Sequence, residues 1–462
     1  MTDNRGNFSG RLGFILAAAG SAVGLGNIWR FPYLAGQNGG AAFLFIYLIC
    51  IFLLCFPVMI GEIAIGRKAG SDAYGSYHKL GGGKWGYLGL FGILAGVFIL
   101  SFYNVVAGWA FGYFLEISFG NLLNEPDFGA FFGSYVNDIS DNLWFSLGFM
   151  VLTALIVSQG IQKGIEAANK IMMPTLYLIL VGLIIYSLTL PNAMAGVKFY
   201  LIPELSEINA QTIFDGLRQA FFSLSLGMGA LITYGSYVKK NQNIVSSAAI
   251  ISIADTSVAF LAGLMIFPLV FSQNMSPTEG PPLVFMVLPQ IFHEMGPVLG
   301  RVVGGSFFLL LCFAALTSTI SLLEVPTTYL VDQKKFPRKK VVWGLAILIF
   351  ILGLPSMVSQ GMIPALNKLP FYQGRDFLTF VSDMCDISLT IGGCLMCAFI
   401  TYKWKIHNMN EELSIGYDGY MGSILQKYLN FVIQYVCPVL LGILSILVII
   451  DKFFGIEKVF GN

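Results

Sequence analysis

The sequence predicts an all-α integral membrane protein with eleven transmembrane helices, of which the first and the sixth are interrupted. Hydrophobic residues make up 56% of the 462 residues and charged residues 11%, whereas soluble domains carry about 25% charged residues. The apolar runs are long enough to cross a hydrocarbon layer of about 30 Å. Backbone groups in lipid must be hydrogen-bonded within their own segment, so each run is a helix.

The eleven predicted spans share high hydropathy and few charges. In chain order they cover residues 11–36, 41–66, 87–119, 143–159, 168–190, 211–238, 244–272, 297–331, 341–355, 376–402 and 427–451. Helices buried among other helices are apolar all round, so periodicity does not reveal which face each span presents to its neighbours.

The first and sixth spans both contain a Gly-x-Gly pair beside hydroxyl or amide residues, in "GSAVGLGNIWRFP" (20–32) and "SLSLGMGALITYGSY" (223–237). Where a helix unwinds, carbonyls and amides become free for a cation or a carboxylate. Close helix packing is the alternative reading of such glycines. Paired breaks five spans apart indicate a transporter with a 5+5 inverted repeat. The predicted parts are a tail (1–10), two repeats (11–190 and 211–402) and an additional helix (427–451).

The distribution of basic residues predicts the orientation. With a cytoplasmic N-terminus, 18 of the 26 Lys and Arg residues lie on the inner side, and the loop 120–142 on the other side holds acids but no Lys or Arg. We therefore expect a multi-pass protein of the cell (inner) membrane with its C-terminus outside. The basic loops are a topology signal and do not indicate nucleic-acid binding.

The usual signatures of enzymes are absent from the sequence. All seven cysteines fall in predicted spans, which implies no disulfide framework, and "CLMC" (394–397) has no second ligand pair for a metal. The pair His293-Glu294 lacks the second histidine of a zinc protease helix. Without a phosphate-binding loop, transport would be driven by an ion gradient, and we expect no enzyme activity.

Four stretches carry a resemblance to the neurotransmitter:sodium symporters. "RLGFILAAAGSAVGLGNIWRFPYLAGQNGGAAFLFIYL" (11–48) resembles their first two helices, and "SFYNVVAGW" (101–109), "FFSLSLGMGALITYGSY" (221–237) and "FAALTSTISLLEVPTTYLVD" (313–332) resemble the third, sixth and eighth. The resemblance covers nearly the whole chain. It implies a bacterial amino-acid transporter with the LeuT-type fold, in a subgroup with eleven helices.

The resemblance implies two sodium sites built from oxygen ligands. The first would use Ala22, Asn27, Ser223 and Asp255 together with the substrate carboxylate, and the second would use Gly20, Val23, Ala314, Thr317 and Ser318. Taken alone, the hydroxyls of Thr317 and Ser318 are more typical of hydrogen bonds to carbonyls of their own helix, and the resemblance reverses this preference.

Asp255 is a carboxylate inside an apolar span, where an unpaired charge costs at least about 2.5 kcal/mol. Many family members have asparagine there. Chloride-binding members use positions that correspond to Tyr47, Gln219, Ser223 and a serine replaced here by Ala259. We therefore expect chloride-independent transport, with Asp255 taking a proton during the return of the empty carrier and giving H⁺ counter-transport. A structural, hydrogen-bonded acid is the alternative.

The residues implied around the substrate predict a hydrophobic or aromatic L-amino acid. Amides near Leu25 and Gly26, with Tyr103, would hold its carboxylate, and carbonyls near Phe222 and Ser225 its ammonium group. Gly24 stands where monoamine transporters have an aspartate, which argues against amines. The expected substrate-binding residues are Ser21, Ala22, Gly24, Leu25, Gly26, Ile99, Tyr103, Phe222, Ser223, Ser225, Met228, Ser318 and Leu322.

Alternating access requires a barrier on each side of the site. The resemblance implies an outer pair, Arg30 and Asp386, and an inner pair, Arg5 and Asp332, supported by Tyr237. A Gly-x9-Pro pattern from Gly164 to Pro174 resembles relatives in which this segment unwinds to release sodium, although a static proline kink is the alternative. Glu62 is either functional or only a buried hydrogen-bonding acid.

These residues predict a sodium-coupled symporter that binds two Na⁺ ions and a small amino acid in the lipid membrane, as a monomer or a weak homodimer. A sensor with a transporter fold and a passive channel remain as alternatives. A complete set of ligands with two barriers favours alternating access over a channel.

Overall fold

The chain is helical throughout the part that the computed structural model describes, which comprises residues 6–273, 275 and 283–454; no strand occurs in these ranges. Most of the helices are long and apolar. Within the same ranges, nine continuous helices are long and apolar enough to cross a membrane, and one bent pair forms a tenth candidate.

The helices that build the bundle are numbered in chain order. They are α1 (Arg11–Ala22), α2 (Gly26–Gln37), α3 (Ala41–Ala69), α4 (Gly83–Ser118), α5 (Ile139–Ser158), α6 (Ile161–Ser187), α7 (Ala210–Ser223), α8 (Ala230–Gly235), α9 (Ile244–Ser272), α10 (Leu299–Lys334), α11 (Arg338–Val358), α12 (Phe377–Trp404) and α13 (Ile424–Phe453).

The first predicted span is broken, as expected. Helix α1 ends at Ala22 because Val23 turns to an extended conformation (φ −65°, ψ 116°). The axis bends by 52° before α2 begins at Gly26. Inside the gap, the N–H of Gly24 donates to the side-chain oxygen of Asn27 (2.9 Å), so a side chain replaces part of the lost helical hydrogen bonding.

The sixth predicted span (211–238) consists of two short helices, α7 and α8, separated by residues 224–229. Three residues in this gap have positive φ angles: Ser225 (53°), Gly227 (87°) and Gly229 (77°). Glycine adopts such angles without strain, which explains the Gly-x-Gly pair. Neither α7 nor α8 is long enough to cross the membrane alone, so this span is not among the ten candidates.

Several short helices in the connections escaped the sequence analysis, because their apolar stretches are short. They cover Ala73–Gly81, Phe128–Asn137, Ala193–Leu201, Leu288–Glu294 and Ile406–Ser414. The start of the fifth span also differs from the predicted residue 168. It begins at Ile161 with a π-helical turn that follows Gly160, whose φ of 88° separates it from α5.

Burial sorts the helices into a core and a lipid-facing layer. The long helices α4 and α10 are mostly buried and flank the two breaks. Helices α6 and α13 instead expose large apolar side chains, such as Leu178 (74% exposed) and Ile446 (59%). Apolar surface of this kind suits contact with lipid, and the core positions the broken helices at the centre of the bundle.

Candidate functional site

A small cavity of about 30 Å³ lies between the two helix breaks. Helices α1, α2, α4, α7, α10 and α12 and the residues of the two breaks supply its walls. The lining residues are Ser21, Ala22, Gly24, Gly26, Asn27, Ile99, Tyr103, Phe222, Ser223, Ser225, Met228, Ser318, Leu322 and Leu389. All the expected substrate-binding residues are among them except Leu25, which lines a separate outer cavity.

One end of the cavity is polar because backbone groups of the first break face it. The hydroxyl of Tyr103 accepts a hydrogen bond from the N–H of Leu25 (2.8 Å). Gly24 lies directly against two hydroxyls, since a Cβ atom there would be 2.5 Å from Ser318 Oγ and 2.8 Å from Tyr103 Oη. Any side chain at position 24 would therefore collide with this end of the cavity.

The second break closes the opposite wall. Ser225 Oγ donates to the carbonyl of Ser21 (3.1 Å) and so links the two breaks. The N–H of Gly227 donates to Glu62 Oε1 (2.7 Å), so this carboxylate hydrogen-bonds to the unwound backbone beside the cavity. The remaining wall is apolar, formed by Ile99, Met228 and Leu322 with other carbon side chains.

The residues of the expected first sodium site form one buried hydrogen-bonded cluster. Ser223 Oγ donates to Asp255 Oδ2 (2.7 Å), and Asn27 Nδ2 donates to Asp255 Oδ1 (2.8 Å) and to Ser223 Oγ (3.0 Å). Tyr47 Oη donates to Ser223 Oγ (3.2 Å). Asp255 is fully buried, and its carboxylate directly joins the groups that the sequence analysis connected with chloride.

Gln219, another residue of the chloride positions, lies nearby. Its Nε2 donates to the carbonyl of Gly26 (3.0 Å), while its Oε1 has no hydrogen-bond partner within the described ranges. Ala259 is fully buried one helical turn after Asp255. Asp255 and Ala259 therefore share one face of α9.

The residues of the expected second sodium site meet between α1 and α10. Thr317 Oγ1 and Ser318 Oγ both donate to the carbonyl of Val23 (3.1 and 3.2 Å), and Thr317 also donates to the carbonyl of Ala314 (2.9 Å). Gly20 lies beside Thr317, whose Cβ would be 3.4 Å from a Cβ at position 20. The donor set consists of neutral oxygens, which suits a hard monovalent cation.

On the side expected to face outward, the residues of the expected outer gate lie between this cavity and a larger cavity of about 760 Å³. Arg30 and Asp386 form a two-point ion pair with Nη–Oδ distances of 3.2 and 2.5 Å. The guanidinium group also lies 4.4 Å from the ring centroid of Phe222. Because Tyr103 and Phe222 line both cavities, their side chains form the partition between them.

Beside Tyr237 of the expected inner barrier lies an ion pair that the sequence analysis missed. Buried Glu324 accepts hydrogen bonds from Nη1 and Nη2 of Arg338 and from Tyr237 Oη (2.9 Å). The expected partner Arg5 lies outside the described residues. Asp332 accepts a hydrogen bond from the N–H of Asp72 (3.2 Å) and lines an inner cavity of about 370 Å³.

The N-terminal tail is packed into this inner barrier. Phe8 is 2% exposed and makes edge-on contacts with Tyr234 and Tyr237 at centroid distances of 5.8 and 6.0 Å. Next to it, the backbone N–H of Ser9 donates to Glu166 Oε2 (2.8 Å), and its hydroxyl donates to Oε1 of the same carboxylate. Glu166 thereby ties the tail to the beginning of α6.

The Gly-x9-Pro segment is wound in this structure. Gly164 lies in the first, π-helical turn of α6, and a Cβ there would run into the carbonyl oxygen of Ile156. Pro174 sits inside the helix, where it provides no N–H for the preceding turn. A helix that starts with a π turn and contains a proline is held by fewer regular hydrogen bonds than an ordinary one.

Four polar or lining residues escaped the sequence analysis, for different reasons. Leu389 lies one turn after Asp386 on α12, so helical spacing from the expected gate residue would have pointed to it. Glu324 in α10 meets Arg338 at the start of α11, a contact that no local pattern reveals. Glu166 resembles an ordinary surface acid paired with Lys170 (2.7 Å), because only the tertiary structure brings Ser9 to it.

Comparisons with known proteins agree with this architecture. The model of the Sodium:neurotransmitter symporter family matches residues 5–125 and 132–457. A relative described as an uncharacterised sodium-dependent transporter, YhdH of Bacillus subtilis, is 39% identical over 88% of this chain and 90% of its own length. A sodium-dependent transporter of Haemophilus influenzae is 34% identical over 95% and 99%. The crystal structure of MhsT in complex with L-phenylalanine matches with a TM-score of 0.88 and 42% identity, over 96% and 99%.

Proposed function

Because the chain belongs to the sodium:neurotransmitter symporter family, and is thus a multi-pass membrane transporter and not an enzyme, we propose that it couples Na⁺ to the uptake of hydrophobic and aromatic L-amino acids. The observation that carries this proposal is the small cavity between two helix breaks, which has backbone groups at one end and carbon side chains at the other. Alternating access would expose this cavity to one side at a time.

We propose the predicted topology of eleven spans, with two inverted repeats (11–190 and 211–402) and an additional helix (427–451). The two breaks at corresponding positions support the repeats. The cytoplasmic N-terminus, external C-terminus and inner-membrane location rest on the distribution of Lys and Arg. The exposed apolar face of α13 suits lipid or a second copy, consistent with a monomer or a weak homodimer.

The proposed substrate pose follows from the polarity of the cavity. The carboxylate would lie by the first break, near the N–H groups of Leu25 and Gly26 and the hydroxyl of Tyr103. The ammonium group would face carbonyls of the second break near Phe222 and Ser225. The side chain would then contact Ile99, Met228 and Leu322, and Leu389 adds a further apolar contact on the same wall. The phenylalanine bound by MhsT supports a substrate of this class.

Two ions are proposed, as substrates that travel with the amino acid. The first would bind among Ala22, Asn27, Ser223 and Asp255, with the amide of Asn27 turned so that its oxygen faces the ion in place of its NH₂ group. When the second ion binds, the hydroxyls of Thr317 and Ser318 would give up their hydrogen bonds to the carbonyl of Val23 and ligate the ion. The carbonyls of Val23, Gly20 and Ala314 would complete the site. The fixed charge of buried Asp255 beside Ser223 supports chloride independence. Once Na⁺ leaves the first site, the Asp255 carboxylate would take up a proton, and the empty carrier would transport this proton in the opposite direction.

The two expected barriers would determine from which side of the membrane the cavity can be reached. The Arg30–Asp386 pair with Phe222 would open outward, and the Glu324–Arg338 pair with Tyr237 inward. For release, the Gly164–Pro174 segment would unwind and admit water from the inner cavity, whose lining includes residues 159–163. A Pro174→Ala carrier should release Na⁺ inward more slowly, and release at the wild-type rate would contradict this step.

The deciding experiment reconstitutes the full chain in liposomes and measures labelled phenylalanine, tyrosine, tryptophan and leucine. We expect accumulation above the external concentration under an inward Na⁺ gradient, with no requirement for chloride. Binding without accumulation would identify a sensor. Equilibration without accumulation would identify a passive channel, so each alternative has its own outcome.

A further inference from the structure

Asn169 is a buried amide in the hinge segment of α6. Its side chain is 1% exposed, and Nδ2 donates to the carbonyl of Ile165 (2.8 Å), one turn earlier in the same helix. Its Oδ1 finds no hydrogen-bond partner among the residues that the structure describes. A buried carbonyl oxygen without a partner is costly, particularly inside a membrane protein, so this oxygen requires an explanation.

The unpartnered oxygen lies beside two residues of the expected second sodium site. A Cβ atom on Gly20 would collide with Asn169 Oδ1, and the same point is 3.4 Å from the Cβ of Thr317. Asn169 therefore converges with two residues of that site, one from α1 and one from α10. Glycine at position 20 leaves the space that the amide oxygen occupies.

A second polar contact on the same interface provides a comparison. Glu166 precedes Asn169 by three residues on α6 and fills the space beside Gly13, where a Cβ would collide with its carboxylate. Gly13 and Gly20 are seven residues apart and share one face of α1. The Glu166 carboxylate is satisfied by Ser9 and Lys170, whereas the oxygen of Asn169 is not. Of these two side chains, the one next to the expected ion site is the one with an oxygen that no described residue uses.

We propose that Asn169 Oδ1 is an additional oxygen ligand of the second sodium ion, supplied by α6. The inference rests on the proposed function, since it requires that site to bind Na⁺. Amide oxygen is a suitable ligand for a hard cation. Asn169 lies between Gly164 and Pro174, so unwinding of this segment withdraws one ligand as it opens the inner side. Release of the ion and movement of the hinge are then one event.

The test compares two substitutions of similar volume in the purified full-length protein. Asn169→Leu removes the oxygen and keeps the bulk, whereas Asn169→Asp keeps an oxygen at the same reach and adds a charge. The readout is the rise in melting temperature as NaCl replaces KCl at constant ionic strength, because a ligand of the folded state stabilises it in proportion to occupancy. We expect Asn169→Leu to raise the half-saturating Na⁺ concentration about tenfold, as for loss of one buried polar partner, and Asn169→Asp to lower it.

A packing role predicts the opposite order, because leucine would be tolerated and a buried charge would be the most harmful change. Asn104→Leu is the matched control. Asn104 on α4 is also buried with an unpartnered Oδ1, but its Nδ2 faces the carbonyl of Ser146 (3.0 Å) on α5. Its Na⁺ dependence should stay within about twofold of wild type.

Two results would overturn the inference. One is an unchanged Na⁺ dependence in Asn169→Leu, and the other is weaker Na⁺ binding in Asn169→Asp than in Asn169→Leu. If Asn169→Leu does not fold, the direction of the shift in Asn169→Asp decides alone. A wild-type protein that NaCl does not stabilise at all would instead refute the proposed sodium sites, so the two failures are distinguishable.

Discussion

Replacing Asp255 by asparagine should convert a chloride-independent carrier into one that requires chloride. The carboxylate lies 2.7 Å from Ser223 Oγ and 2.8 Å from Asn27 Nδ2, so an ion bound by these residues would be within about 4 Å of the charge. Two unit charges at about 4 Å attract by about 4 kcal/mol at an effective dielectric constant of about 20. The substitution removes that attraction and keeps one amide oxygen.

The asparagine oxygen compensates for part of the loss, since a hydrogen bond or ligand contact of a neutral group is worth about 1–2 kcal/mol. We therefore expect a net loss of roughly 2–3 kcal/mol, which corresponds to a half-saturating Na⁺ concentration about 30- to 150-fold higher. Chloride beside Tyr47, Gln219 and Ser223 would supply the missing charge. Adding it should restore most of the Na⁺ affinity of the variant and change the wild type little.

The assay is uptake of labelled phenylalanine into proteoliposomes at varied Na⁺, with gluconate or chloride as the anion. Asp215→Asn is the matched control, because Asp215 is buried but pairs with Arg218 (3.2 Å) away from the cavity. Asp255 does not replace chloride if Asp255→Asn keeps the wild-type Na⁺ dependence in gluconate, or if wild-type uptake itself requires chloride.

Three further predictions concern proton counter-transport, the space available at position 24 and the inner barrier. Acidifying the liposome interior should speed repeated turnover of the wild type severalfold by protonating Asp255 in the empty carrier, and Asp255→Asn should lose this response in a pH-jump uptake assay. Gly24→Ala should lower substrate affinity more than tenfold in equilibrium binding, because its Cβ meets Ser318 and Tyr103, whereas Gly182→Ala, where the space is open, should bind like wild type. Arg338→Met leaves the Glu324 carboxylate buried without its cation, which should destabilise the closed inner barrier by about 3–5 kcal/mol. Hydrogen exchange in residues 159–163 should therefore accelerate, and protection equal to wild type would contradict a barrier role.

Much of the fold was predictable because a membrane restricts the chain to helices. The predicted limits of the seventh span (244–272) coincide with those of α9, and both helix breaks fall within the predicted glycine pairs. The breaks were visible because Gly24, Gly227 and their neighbours are unusual in apolar helices. The short connecting helices were not, since nothing in an amphipathic stretch of about ten residues distinguishes a helix from a loop.

The site was predictable to the extent that local motifs contain it. Twelve of the expected substrate-binding residues line the central cavity, and all of them except Ile99 lie in the stretches that carry the family resemblance. Leu389, Glu324 and Glu166 were missed because their partners come from distant segments. Arg338 reaches Glu324 from the next helix, and Ser9 reaches Glu166 across 157 positions of sequence, so their roles depend on packing that no single stretch encodes.

Helix α1, the inner half of the first span, lies between the N-terminal tail and the expected second sodium site. Helix α1 has 12 residues and is therefore about 18 Å long. At its inner end Ser9 binds Glu166, and at its other end Gly20 lies against Asn169 and Val23 accepts from Thr317. Both contacts with α6 fall within its first nine residues, where the π turn and Pro174 weaken regular helical bonding. Under the proposed mechanism, unwinding this short segment would release the tail and the expected ion site together, so that opening of the inner side and sodium release would need no separate signal.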